Sequence, residues 1–223
     1  MLEFTNTKVY DLKESVIACR NAMRTEPVEY TDEEFEASLE RAKKLVKASN
    51  GSKNVKCHDN YLTGIRVSAD MKYSQYITKQ IQRYHWFDYV SSSSMMHRIT
   101  KMDFSKCCNK YVMTSTIRTM QSLVHQYNYI LEFKPTSWRF EDGHDENLVY
   151  GYENAIYHAF MLIISNCPMG AELFVRISTN YKQLQTMYHQ RKHHKLKEDW
   201  GAFCEWVESL PYAKELIIGE EDA

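Results

Sequence analysis

Glycine and proline are scarce, with 7 Gly and 4 Pro making 11 of 223 residues, about 5% where an average chain carries roughly 12%. So few backbone punctuators exclude collagen-like, linker-rich and low-complexity chains and leave long regular elements, mainly helices. Long apolar runs are missing too: the longest clean one runs from Ala159 to Ile164, far short of the ~20 residues of a membrane helix. The first residues, Met1-Leu2-Glu3-Phe4-Thr5-Asn6, lack a basic stretch followed by an apolar one, so a cytoplasmic protein with no membrane partner is expected. An excess of one charge is also absent, with 28 Lys+Arg against 29 Asp+Glu and a net charge of -1. Such a chain has no bulk field to hold nucleic acid, and no nucleic-acid partner is expected.

What is present is enough apolar material for one core, since a chain of this size buries roughly 70% of its unfolded surface. A single domain over 1–223 is expected, with the acidic stretch 219–223 as a frayed tail. The six cysteines, Cys19, Cys57, Cys107, Cys108, Cys167 and Cys204, fall mostly in apolar or helical segments. A disulfide framework is unnecessary at this length, and free thiols in a reducing compartment are expected.

Helical periodicity marks Asp11 to Met23, then Phe35 through Val46 after Thr31 and Glu34, which read as a capping box. Two helices are thus expected to open the chain. Leu62 to Met71 reads as a strand, Tyr73 to Trp86 as a helix, and Ser91 to Ser94 as a functional or packed turn. Thr114 to Phe133 and Val149 to Ser165 are further helices, joined by an exposed connection over Lys134 to Asn147. Glu172 to Thr179 reads as a strand feeding a helix over Asn180 to Arg191, and a last helix over Trp200 to Leu210 is closed by Pro211. Strands and helices alternate too sparsely for a doubly wound sheet, so the class is α+β or mixed α/β: helix-rich with a central sheet.

Three constellations carry possible chemistry. His189 and His193 share a helical face with His194 beside them, but Lys192, Lys195 and Lys197 surround them. Cations beside a dication are unfavourable, so this reads as a solvated basic surface and no metal is assigned. Arg83 and His85, followed by the serine run, have the donors for a phosphate, although composition alone favours a helix end with an ordinary surface arginine and packed aromatics. Asn180, Lys182 and Arg191 form a second polar series, for which composition alone favours a plain amphipathic helix.

Taken in order, these segments resemble the flavin-dependent thymidylate synthases of the ThyX type. That family runs from a His at the start of a strand, through a Gln, into an Arg-His-Arg-x7-Ser signature; here His58, Gln80, Arg83-Tyr84-His85 and Ser93 keep the spacing. Downstream, Pro168, Asn180, Lys182, Leu184 and Arg191 match a Pro and an Asn-x-Arg-Ser-Leu segment ending in Arg, and Ala202 with Glu205 follow. The similarity spans Cys57 to Glu208. This sequence departs from the pattern at Tyr84 and His85, at Thr63 and Ser91 where acids stand, and at Ile164 in place of an Arg. Arg98 lies three residues beyond the expected Arg position, which holds Met95.

The resemblance implies a homotetramer with composite sites in which FAD lies beside dUMP, methylenetetrahydrofolate supplies the carbon, and NADPH restores the flavin. It implies that Arg191 stabilises charge on the pyrimidine, as the catalytic group. Gln80, Ser93 and Arg98 then join Arg191 in holding the nucleotide, while His58, Arg83, His85 and Asn180 contact the flavin. The alternative is a non-catalytic ThyX-fold oligomer that binds a nucleotide and has lost flavin chemistry.

Overall fold

The computed structural model describes residues 1–51, 58–140 and 148–219. In chain order its elements are β1 (Glu3–Tyr10), α1 (Leu12–Ala18), α2 (Asp32–Gly51), β2 (Arg66–Ser74), α3 (Thr78–Ile81) and β3 (Asp88–Ser92). There follow α4 (Met95–Arg98), α5 (Thr114–Phe133), α6 (Tyr152–Asn166), β4 (Glu172–Asn180), α7 (Tyr181–Arg191) and α8 (Lys197–Glu208). The helix-rich mixed class with a central sheet is what the composition and periodicity indicate.

The sheet has the order β1-β2-β4-β3. β1 runs antiparallel to β2, and β3 to β4. The flanking backbone bonds, Gln75 N–H to Ala171 O and Tyr181 N–H to Ile65 O at 3.0 Å each, run the central pair antiparallel as well. Alternation along β2 buries Val67, Ala69, Met71 and Tyr73, and β4 buries Val175, Ile177 and Thr179, as expected of a sheet with one covered and one wet face. On the wet face Arg176 donates to Asp70 at 3.2 Å and to the Asn6 carbonyl at 3.0 Å, while Asn6 Nδ2 donates to Asp70 at 2.6 Å. These bonds, Asn6's first and then Arg176's, hold the Asp70 carboxyl below the usual carboxylate range. Asn6 sits at φ 50, inside the register shift between Thr5 and Lys8 of β1.

The chain clusters into two compact units. The first takes residues 1–73, 79–92 and those from Phe174 onward. Its core includes Val16, Ile17, Leu62, Ile65, Leu184, Met187, Trp200 and Phe203, all nearly inaccessible. The second takes residues 74–78 and 93–173, where α5 and α6 pack together around Ile99, Met102, Phe104, Met120 and Ile163, with a further cluster at Ile130, Phe140, Ala155 and Ala159.

Four expectations are corrected. The chain opens on β1, not on two helices. β1 is held by packing far along the chain: Phe4 stacks on Trp206 at 4.0 Å between centroids, and Trp206 Nε1 donates to Thr7 Oγ1 at 3.0 Å. The helix expected over Tyr73 to Trp86 shrinks to α3 preceded by a short 3₁₀ turn at Gln75–Ile77, because Tyr73 and Ser74 continue β2. Ser91 and Ser92 pair with Arg176 and Val175 as the end of β3, so only Ser93 and Ser94 remain for a turn. The capping box at α2 is half made: Thr31 Oγ1 accepts the Glu34 N–H at 3.2 Å, but the Glu34 carboxylate turns to Arg20 and Arg24. The expectations for Cys57, for 141–147 and for the acidic tail beyond Gly219 lie outside the described residues.

Candidate functional site

β4 leads directly into α7 at Asn180, whose extended backbone and side-chain oxygen form the N-cap: Oδ1 accepts the Gln183 N–H at 2.8 Å. This is the local rule for Asn at such a junction, where one orphan donor of the helix is satisfied. Asn180 is 4% exposed, so replacing it by Ala should destabilise the fold by about 1–2 kcal/mol, whereas Asp, an equally good cap, should restore most of that in urea titrations. Two residues on, in the first turn of α7, Lys182 Nζ reaches Asp59 at 2.5 Å and Gln185 Oε1 at 2.9 Å. Tyr181, Leu184, Met187 and Tyr188 bury the inner face of α7, and Tyr188 Oη donates to Glu208 on α8 at 2.7 Å.

That anchoring delivers Arg191, in the last turn of α7, to a set of partners within the first unit. Its Nε–H donates to Tyr84 Oη at 2.7 Å, and Nη1 donates to Gln80 Oε1 at 3.4 Å. Its guanidinium carbon lies 4.3 Å from the Trp200 ring centroid and 5.4 Å from that of Tyr84, within the range of cation–π attraction. Trp200 Nε1 donates to the same Gln80 oxygen at 3.1 Å, and Tyr84 Oη donates to Gln190 Oε1 at 3.0 Å. The C-terminal end of a helix also favours a cation there.

His194 meets Trp200 edge-on, with centroids 5.9 Å apart, and its Nδ1 accepts the Leu196 N–H at 3.1 Å. Burial first, then the charges of Arg191 and Lys195, pull its pKa below the ordinary imidazole value. A neutral ring with Nδ1 as acceptor carries its proton on Nε2. The neighbouring His193, Lys192, Lys195 and Lys197 are exposed, and among the described residues no group of three or more His, Cys, Asp or Glu is placed to hold a metal.

Of the residues the sequence singles out, Gln80 and Arg191 come together. Arg83 and His85 are exposed on the segment after α3, and neither enters a side-chain hydrogen bond or ion pair with another described residue. His58 is exposed and lines a cavity of about 380 Å³ with Ser15, Cys19, Asn60, Tyr61 and Gly64. Ser93 and Arg98 belong to the second unit, where both are half-buried and Arg98 ends α4. The cap of α4 is Ser94, which accepts from His97 N–H at 3.4 Å. Sequence reasoning missed Trp200 and the bond that Tyr84 makes. The only signal for Trp200 is a tryptophan early in a helix after a basic run, which does not disclose what its ring faces.

Cys19, Cys107, Cys108, Cys167 and Cys204 are free thiols. Burial pushes Cys108 and Cys204 up to about 11 each, which leaves little thiolate near neutral pH and makes them poor nucleophiles. No helix among the described residues is long and apolar enough to cross a membrane.

No protein-family model and no curated protein matches the chain. Among solved structures it is similar to the flavin-dependent thymidylate synthase ThyX from Helicobacter pylori complexed with FAD and dUMP, at TM-score 0.57 and 16% identity, covering 96% of this chain and 97% of that one. A second structure of ThyX from that organism with FAD and dUMP gives TM-score 0.55 and 15% identity over 97% of each chain. The UMP/dUMP methylase PolB from Streptomyces cacaoi bound with 5-Br dUMP gives 0.53 and 12%, covering 96% of this chain and 92% of that one. At these identities the likeness is one of fold.

Proposed function

We propose that this protein methylates a pyrimidine nucleotide by flavin-dependent chemistry: dUMP to dTMP, with methylenetetrahydrofolate as carbon donor and NADPH as reductant, or a related modification of the same nucleotide class. The observation that carries the reading is the convergence of Gln80 and Arg191. They come from two segments 111 residues apart that share Trp200 as a platform, in a fold whose solved neighbours hold dUMP or 5-Br dUMP.

In this reading the Arg191 guanidinium donates to a ring carbonyl of the pyrimidine. It stabilises the negative charge that builds as C5 becomes nucleophilic, and such a donor is worth most where it is already oriented and partly shielded from water. Gln80 hydrogen-bonds the base. Bound FAD would supply the hydride chemistry that reduces the transferred carbon. The donors present fit such a group in part. Arg83 is a solvent-facing cation of the kind that holds a diphosphate, and His85 beside it is an exposed ring with an N–H to donate, with His58 as a further exposed ring. Asn180 spends its oxygen on the cap of α7, so a flavin contact falls to its amide nitrogen. A homotetramer completes the site in this reading.

The second reading is a ThyX-fold oligomer that binds the nucleotide without flavin turnover. It is favoured by Tyr84, which stands in the cofactor signature yet bonds Arg191 and Gln190. The visible absorption spectrum separates the two. After incubation with FAD and desalting, retained flavin absorbance supports the enzyme; a colourless protein that still binds dUMP supports the second reading. A protein that takes up neither ligand overturns both.

A further inference from the structure

An arginine side chain offers five N–H donors, and this protein engages two of those on Arg191 from within: Nε–H on Tyr84 Oη and one Nη1–H on Gln80 Oε1. Each restraint is itself restrained. Tyr84 Oη donates onward to Gln190, and Gln80 Oε1 also accepts from the Trp200 indole, over which the guanidinium carbon lies 4.3 Å from the centroid. Trp200 is 1% exposed, so this platform does not move with the surface. The remaining N–H groups, both on Nη2 and one on Nη1, meet no side-chain acceptor among the described residues.

We propose that Tyr84 and Trp200 form a clamp that orients Arg191 before any ligand arrives, with Tyr84 as the positioning residue that decides which edge of the guanidinium is presented. This rests on the reading of Arg191 as the nucleotide donor. A free arginine side chain loses rotamer freedom when it binds, and a clamped one has already lost it, so the ligand contact is made at lower entropic cost.

The clamp also fixes what the site can accept. Nε–H is used, so a ligand meets the Nη edge. Gln80 Oε1 already accepts two hydrogen bonds, which fill its two lone pairs, so Gln80 can offer only N–H. The face is therefore made of donors alone. It matches carbonyl oxygens and leaves any ligand N–H set against it unpaired, a mismatch that is costly once desolvated.

The test uses Tyr84→Phe, which keeps the ring and removes the hydroxyl, in two measurements. In calorimetric titrations of dUMP the variant is expected to bind about tenfold more weakly than wild type, the size of one lost hydrogen bond to a charged group. In nitrogen-15 spectra of arginine-labelled protein, the Nε–H signal assigned to Arg191 by its absence in Arg191→Lys should be slow to exchange in wild type and lost in Tyr84→Phe. Gln190→Ala, on the exposed side of Tyr84, is the second variant and should weaken binding in the same direction by less. If Arg191→Ala weakens dUMP binding while Tyr84→Phe binds like wild type and keeps the signal, the clamp is overturned and the nucleotide reading stands. If wild type does not bind dUMP, both fall.

Discussion

Lys182→Met should cost the fold about 3 kcal/mol, the lower end of the roughly 3–5 kcal/mol measured when one partner of a buried ion pair is removed. Asp59 is fully buried, while the Lys182 side chain keeps 29% exposure and holds it at 2.5 Å; the partial exposure of the lysine argues for that lower end. Its other oxygen, Oδ1, is buried with no hydrogen-bond partner among the described residues. Met fills the volume of the lysine stem, so the loss reads the stranded carboxylate and not a cavity. Asp59→Asn combined with Lys182→Met should recover part of the stability, because the variant then leaves no buried charge behind. Urea unfolding of the single and double variants supplies the comparison. A single-variant loss under about 1 kcal/mol, the range of exposed ion pairs, would mean that Asp59 reaches water or a proton easily. The pair also has a geometric role, since it ties the segment that carries His58 to the first turn of α7.

The second large effect concerns the ligand. Arg191→Ala should weaken dUMP binding by about 1.5–3 kcal/mol, the range for hydrogen bonds to charged groups, or on the order of tenfold to hundredfold in dissociation constant. Lys should be an imperfect substitute, since an ammonium has neither the planar fork nor the Nε–H that Tyr84 accepts. Lys195→Ala, exposed in the same basic run, is the control for a general loss of positive charge. Equal affinities for wild type, Arg191→Ala and Lys195→Ala would remove Arg191 from the site, and with it most of the case for a pyrimidine ligand. Part of the effect must be read against folding, because Arg191 is half-buried and bonded to two side chains. The titrations therefore belong at temperatures well below each variant's melting midpoint.

Much of the architecture is legible in the residues because packing and local rules agree there. α5, α6 and α7 fall within a few residues of the stretches their apolar spacing marks, and β4 alternates as its β-branched content suggests. The failures share a cause. β1 reads Glu-Phe-Thr-Asn-Thr-Lys-Val-Tyr and β3 reads Asp-Tyr-Val-Ser-Ser, and both are edge strands with mostly exposed side chains. A strand with little to bury has no apolar alternation to show, and its existence depends on neighbours supplied by distant sequence.

The segment after β2 fails differently. Ile77 and Ile81 are both buried at helical spacing, so the period is real, but the helix is only one turn long and Tyr84 N–H closes a turn onto the Ile81 carbonyl at 3.0 Å. The site shows the same division. Gln80 and Arg191 are legible through resemblance to a family pattern, whereas Trp200, which bonds one and lies against the other, belongs to no spacing that sequence periodicity reports. A residue that acts by lying under another from a different helix is visible only once both helices are placed.

The two edges of the sheet carry a consequence for self-association. β1 breaks register between Thr5 and Lys8, with Asn6 turned to positive φ and pinned by Asp70 and Arg176; β3 breaks register between Tyr89 and Ser91. A strand that kinks out of its ladder offers an incoming strand only a few hydrogen bonds before the match fails, which is how natural sheets refuse to extend. Copies of this chain should therefore not join by continuing one another's sheet, and any assembly they form must be built from side-chain surfaces instead of shared backbone ladders.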